Sequence, residues 1–117
     1  MARYRVLVCG GRNYDDRATV FATLSTLHEH YHELHIIQGG AQGADALARE
    51  WASANSEPWT TYPAAWEKHG RKAGPIRNRQ MLAEGEPDLV LAFPGGRGTK
   101  SMRDLAVAFK VRVQVAG

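Results

Sequence analysis

Glycine clusters close three short apolar runs in this chain. Gly10-Gly11 follows Tyr4 to Cys9, Gly39-Gly40 with Gly43 follows Leu34 to Gln38, and Gly95-Gly96 with Gly98 follows Leu89 to Phe93. The runs are apolar or β-branched, the pattern of strands entering turns, and Leu89 to Phe93 reads as buried on both faces. Helical patterns lie between them. Val20, Phe21, Leu24, Leu27 and Tyr31 recur at helical spacing behind Asp15 and Asp16, which suit a helix cap. Ala44 to Ala54 is an alanine-rich helix with Leu47 and Trp51 four apart, and Trp59 to Tyr62 is a weaker third strand. Pro75 suits the first turn of a helix from about Ile76 to Ala83. A last helix carries Met102, Leu105, Ala106 and Phe109, and Val111 to Val115 closes the sheet.

Five strands alternating with four helical patterns predict an α/β, Rossmann-like, doubly wound parallel five-stranded sheet. Parallel neighbours need a connection long enough to recross the sheet, and the intervening helices supply it. The ligand site is then expected outside the carboxyl ends of the strands, where the strand order reverses. Ala64 to Gly74 is predicted as the one long irregular connection. At 117 residues, 44% of them apolar, the chain predicts a single domain over 1–117. Its most apolar stretch falls far short of the roughly 18 residues of a membrane helix. No membrane contact is expected. The short basic N-terminus lacks the apolar core of a secretory signal, and one cysteine fits a reducing compartment, so a cytoplasmic protein is expected.

The formal charge is +3, and its distribution is uneven. Lys68, Arg71, Lys72, Arg77 and Arg79 fall between positions 68 and 83 without an acid, which leaves 10 basic and 12 acidic residues elsewhere. A weakly acidic body with one basic segment fits a local anion site better than a nucleic-acid-coating surface. Arg77 and Arg79 are expected to neutralise a phosphate or line the pocket, and Asn78 between them can read a base or a ribose.

In the predicted topology all three glycine turns lie on one sheet edge, where a ligand can approach the backbone without a Cβ in the way. Pro94-Gly95-Gly96-Arg97-Gly98-Thr99 joins a buried strand to an amphipathic helix. The backbone N–H groups of Gly96 to Thr99 would stand at a helix N-terminus and accept a phosphate, with Thr99 capping the helix or bonding the anion. Neither the phosphate loop of nucleoside triphosphatases nor the dinucleotide fingerprint is present.

Pro94 to Thr99 resembles the PGGxGT signature of the SLOG superfamily, which includes LOG-type phosphoribohydrolases and the DNA-processing protein DprA. From first strand to last the chain is most similar to the small stand-alone YspA-related family (YAcAr). The match includes Cys9-Gly10-Gly11-Arg12, Gly39-Gly40-Ala41-Gln42-Gly43-Ala44-Asp45 and Ala73-Gly74-Pro75-Ile76-Arg77-Asn78. This resemblance implies a nucleotide or nucleotide-derived small molecule held along the glycine edge, and a homo-oligomer such as a dimer. The phosphoribohydrolases cleave the N-glycosidic bond of nucleoside monophosphates with an arginine before the fourth strand and a glutamate three residues past the motif threonine. Arg77 falls close to that arginine, but Met102 occupies the glutamate position. Methionine neither carries charge nor activates water, so the comparison favours a binding or sensing module over a hydrolase or transferase. Asp45 is the alternative acid, able to bond a ribose hydroxyl, position water or simply favour a helix start. Gly39, Ala41, Gly43 and Asp45 also match the SGxAxGID motif of DprA, which makes single-stranded nucleic acid the rival partner.

His69, in the basic loop, is a candidate general acid or phosphate donor. His28 and His32 are predicted to share a helical face without a third ligand, and no metal or cofactor is expected. Cys9 reads as core filler rather than nucleophile. Tyr14 and Trp66 can stack a base or pack at the rim.

Overall fold

The computed structural model describes residues 2–117. In chain order the strands are β1 (Tyr4–Cys9), β2 (Leu34–Gln38), β3 (Trp59–Thr61), β4 (Leu89–Ala92) and β5 (Arg112–Val115). The helices are α1 (Arg17–Tyr31), α2 (Ala44–Ala54), α3 (Trp66–His69), α4 (Ala73–Gly85) and α5 (Arg97–Ala108), with a 3-10 turn at Gly70–Lys72. All strand pairs are parallel, in the order β3-β2-β1-β4-β5. The Rossmann-like sheet expected from the strand–helix alternation is therefore the fold.

β1 is the central strand, with Val6 paired to Ile36 on one side and Leu89 on the other. Alternate residues point to opposite faces, so both faces must be apolar. Val6 and Val8 join Leu24 of α1, Trp51 of α2 and Phe93 in one core. Leu7 joins Met81 and Leu82 of α4, with Met102 and Ala106 of α5, in the other. The chain builds outward from β1 through β2 to β3, then returns to add β4 and β5 on the far side. The connections after β1 and β4 diverge there and leave a crevice at the carboxyl ends.

Local chemistry sets several boundaries. The Asp16 carboxylate caps α1 by accepting from the Thr19 N–H at 3.1 Å. His32 takes φ +70° and closes the helix, its N–H donating to the His28 carbonyl at 2.8 Å. It leaves the helical face predicted for it beside His28. Among the described residues no three His, Cys, Asp or Glu side chains gather as metal ligands.

α4 starts at Ala73 rather than near Ile76. Pro75 sits within the first turn, where a helical N–H has no partner in any case, so the helix can begin before it. The predicted irregular stretch from Ala64 to Gly74 is instead largely helical. Lys68 and His69 donate to the Ala65 carbonyl at 3.1 and 2.9 Å, and Gly70 ends the turn at φ +56°. One turn is too short to leave a periodic signature. No helix among the described residues is long and apolar enough to cross a membrane.

Candidate functional site

The crevice opens into a cavity of about 550 Å³, a volume typical of small-molecule sites. The β1 turn contributes Gly10, Gly11 and Arg12, and the start of α2 contributes Asp45. Trp66 and Arg71 come from the segment before α4, Arg77 and Asn78 from α4, and Gly96 to Thr99 from the start of α5. An adjoining cavity of about 340 Å³ shares Arg12, Ala41, Trp66 and Arg77 and extends to Gly39, Gly40 and Pro63.

Backbone hydrogen bonds join the glycine corners. Gly11 N–H donates to the Pro94 carbonyl at 2.8 Å, while the Gly11 carbonyl accepts from Ala44 N–H at 3.3 Å. Two contrasting kinds of glycine occur in these turns. Gly43 caps α2 at φ +75°, and a Cβ there would strike the Gly11 carbonyl and the Arg12 backbone. A Cβ on Gly95 would strike the Thr99 hydroxyl and lie 2.7 Å from Gly11 N. Both serve chain-to-chain packing and stand outside the main cavity. Gly96 and Gly98 line it, with nothing within 4 Å of where a Cβ would be, so their backbone is accessible to a ligand.

The charged groups form a connected set. Asp45 is buried and accepts from the Gly39 and Ala41 N–H groups at 3.1 and 3.2 Å. Burial pushes its pKa up to about 6, opposed by the Ala41 N–H, the Arg77 charge and the Gly39 N–H. Arg77 donates from Nη1 to the Gly39 carbonyl at 2.9 Å and from Nε to Asn78 Oδ1 at 3.0 Å. Burial lowers the Arg77 pKa, with the Asp45 charge acting against it. Asn78 Nδ2 then donates to the Gly98 carbonyl at 3.3 Å. A polar chain thus runs from the β2 turn through α4 to the first turn of α5, and rigidly links two of the glycine corners.

Arg12, Arg71 and Arg97 line the same cavity with exposed side chains. Asp45 is the only carboxylate among the lining residues. Four arginines against one committed carboxylate give a positive field that the enclosing walls concentrate.

Several predicted candidates stand elsewhere. His69 ends α3, half-buried, and lines neither cavity. Arg79 turns its guanidinium over the Phe109 ring at 5.8 Å, because two residues along a helix rotate the side chain by roughly 200°. Tyr14 stacks on Phe93 at 5.5 Å and packs against the core. Met102 is buried in the apolar layer and does not reach the cavity. Cys9 is nearly buried, its thiol pushed up to about 12 by burial and the Asp45 charge, so it stays protonated near neutrality. Ser101 lines the cavity and was not among the expected residues. Its signal was its spacing, since it lies three residues past Gly98 on one helical face.

A parallel Rossmann-like sheet carrying a glycine-rich, arginine-lined crevice defines a protein of the SLOG type. The chain belongs to the YspA, cpYpsA-related SLOG family (YAcAr), whose sequence profile matches residues 4–69. It is 39% identical over 117 residues to the Gene 61 protein of Mycobacterium phage D29, a match covering 95% of this chain and 93% of that protein. DNA processing protein A (DprA) from Streptococcus pneumoniae shares the fold with a TM-score of 0.74 at 20% identity, over 97% of this chain and 50% of that one. The chain therefore spans about half the DprA chain. The Moco carrier protein of Chlamydomonas reinhardtii matches with a TM-score of 0.65 at 12% identity, over 97% of this chain and 76% of that one.

Proposed function

We propose that this protein binds a phosphate-bearing, nucleotide-derived ligand at the carboxyl edge of its sheet, as a binding or sensing module. The phosphate sits at Gly96 to Thr99, where α5 offers unpaired N–H groups and the positive end of its dipole. Arg97 and Arg77 supply charge-assisted hydrogen bonds, and Arg12 closes the β1 side. The observation that carries this reading is the convergence of four arginines on a cavity whose single carboxylate already serves two backbone N–H groups. In this reading Asp45 and Asn78 position the glycine corners and Arg77. The names of the structural neighbours, a carrier of Moco and a DNA-processing protein, fit a fold used for binding.

Calorimetry with inorganic phosphate and nucleoside monophosphates tests the reading, together with mass spectrometry of small molecules retained on purification. Arg97→Ala is expected to weaken nucleotide binding about tenfold with an unchanged melting temperature, since the side chain is exposed. Absence of binding by every phosphate compound, or full binding by Arg97→Ala, would overturn the proposal. Binding to single-stranded DNA that collapses steeply with added salt would instead favour the nucleic-acid partner.

Turnover is the second reading, favoured by the Asp45 carboxylate lining the cavity with Arg77 nearby. Release of free base from nucleoside monophosphates, abolished in Asp45→Asn, would make the protein an N-glycosidic hydrolase or transferase and refute a purely sensory role.

A further inference from the structure

Trp66 is the first residue of α3 and is 53% exposed, an unusual state for a side chain that normally hides most of its surface. Trp59, Ile76, Val107 and Val115 are also bulky, apolar and exposed, yet among these five only Trp66 lines the main cavity. It lines the adjoining cavity as well. Among the described residues no aromatic ring stacks on the indole and no guanidinium covers it, whereas Tyr4, Tyr14 and Trp51 all have ring partners. Its ring edge lies beside the first turn of α4, where a Cβ on Gly74 would sit 3.6 Å from Cη2. The exposed indole thus has free π surface in a cavity it shares with Arg12, Arg71 and Arg77.

Topology separates this surface from the phosphate end. Trp66 follows β3 and Gly96 to Thr99 follow β4, with β2 and β1 between them in the sheet. Both stretches line the one cavity, so a ligand spanning it would touch α5 at one end and the indole at the other.

We infer that Trp66 is the stacking platform for an aromatic base, so that the site takes a nucleoside phosphate in preference to a bare sugar phosphate. This rests on the reading of the cavity as a phosphate-ligand site. Base-on-aromatic stacking tolerates every base because each has a π face, and it accounts for an exposed indole in a charged cleft.

The test is calorimetry, with quenching of tryptophan fluorescence, using AMP, GMP, CMP, UMP, ribose 5-phosphate, neopterin phosphate and inorganic phosphate. The wild-type protein is expected to bind the nucleotides more tightly than ribose 5-phosphate. Trp66→Ala should lower nucleotide affinity about tenfold without weakening ribose 5-phosphate, and Trp66→Phe should restore most of the loss. Equal wild-type affinity for nucleotides and ribose 5-phosphate overturns the inference and leaves the phosphate site standing. So does undiminished nucleotide binding by Trp66→Ala. Preference for neopterin phosphate over all four nucleotides overturns the assignment to a nucleobase. Failure of every phosphate compound to bind removes the phosphate site itself, and the base platform with it.

Discussion

Two buried carboxylates serve opposite ends of β2. Glu57 lies at the amino end, where it accepts from Leu34 N–H at 2.5 Å and Arg3 Nη1 at 3.1 Å, with His28 Nε2 3.6 Å away. Asp45 lies at the carboxyl end and accepts from two backbone N–H groups, but it also faces a cavity. Both acids satisfy backbone donors that burial would otherwise leave unpaired. They differ in what else surrounds them. Side chains close over Glu57, so its end of the sheet is structural. The turns around Asp45 are joined by backbone hydrogen bonds but enclose an open cavity, which leaves room for a ligand at that end.

The largest effect expected from this contrast is in pH dependence. Asp45 titrates near 6 in the folded protein and near the ordinary 3.8 when unfolded. Between those values the folded state holds a proton that the unfolded state has released, so this group's contribution to stability falls as pH rises through the window. Wild type should lose about 3 kcal/mol relative to Asp45→Asn between pH 3.5 and 7. Urea midpoints of both proteins at the two pH values measure it, and parallel profiles would mean that Asp45 does not titrate unusually.

A smaller loss is expected at the closed end. Glu57→Gln should destabilise the fold by about 2 kcal/mol, discounted for the partial exposure of Arg3, and leave nucleotide affinity unaltered. An affinity change in the folded variant would show that the two ends are coupled. The smallest effect sharpens the division among glycines. Gly98→Ala places a methyl in open space within a helix and should stabilise by about 0.5–1 kcal/mol while weakening phosphate binding. Gly43→Ala should destabilise, because its φ is positive and the Gly11 carbonyl blocks the added carbon. Thermal melts paired with calorimetry separate the two outcomes.

Much of the candidate site's lining was legible because its determinants are local. A glycine pair after an apolar run announces a turn at a strand end, and parallel topology puts such ends on one edge. The motif around Pro94 to Thr99 marked the start of α5, and the run Arg77-Asn78 marked α4. α3 was not legible, since four residues carry no periodicity, and with it went the orientation of Trp66. Likewise, the three glycine clusters look alike in sequence, although Gly43 and Gly95 accommodate neighbouring backbone while Gly96 and Gly98 face open space.

The order of strands and helices, the parallel sheet and the edge that holds the glycine turns followed from residue patterns alone, because short-range sterics and the burial of apolar runs dictate them. Which arginines reach the cavity, that Arg79 turns away, and that Asp45 is engaged by backbone were decided only by tertiary structure. Residue spacing sets Arg77 and Arg79 on opposite faces of α4, but which face meets the cavity depends on how the helix packs on the sheet and how distant turns come together.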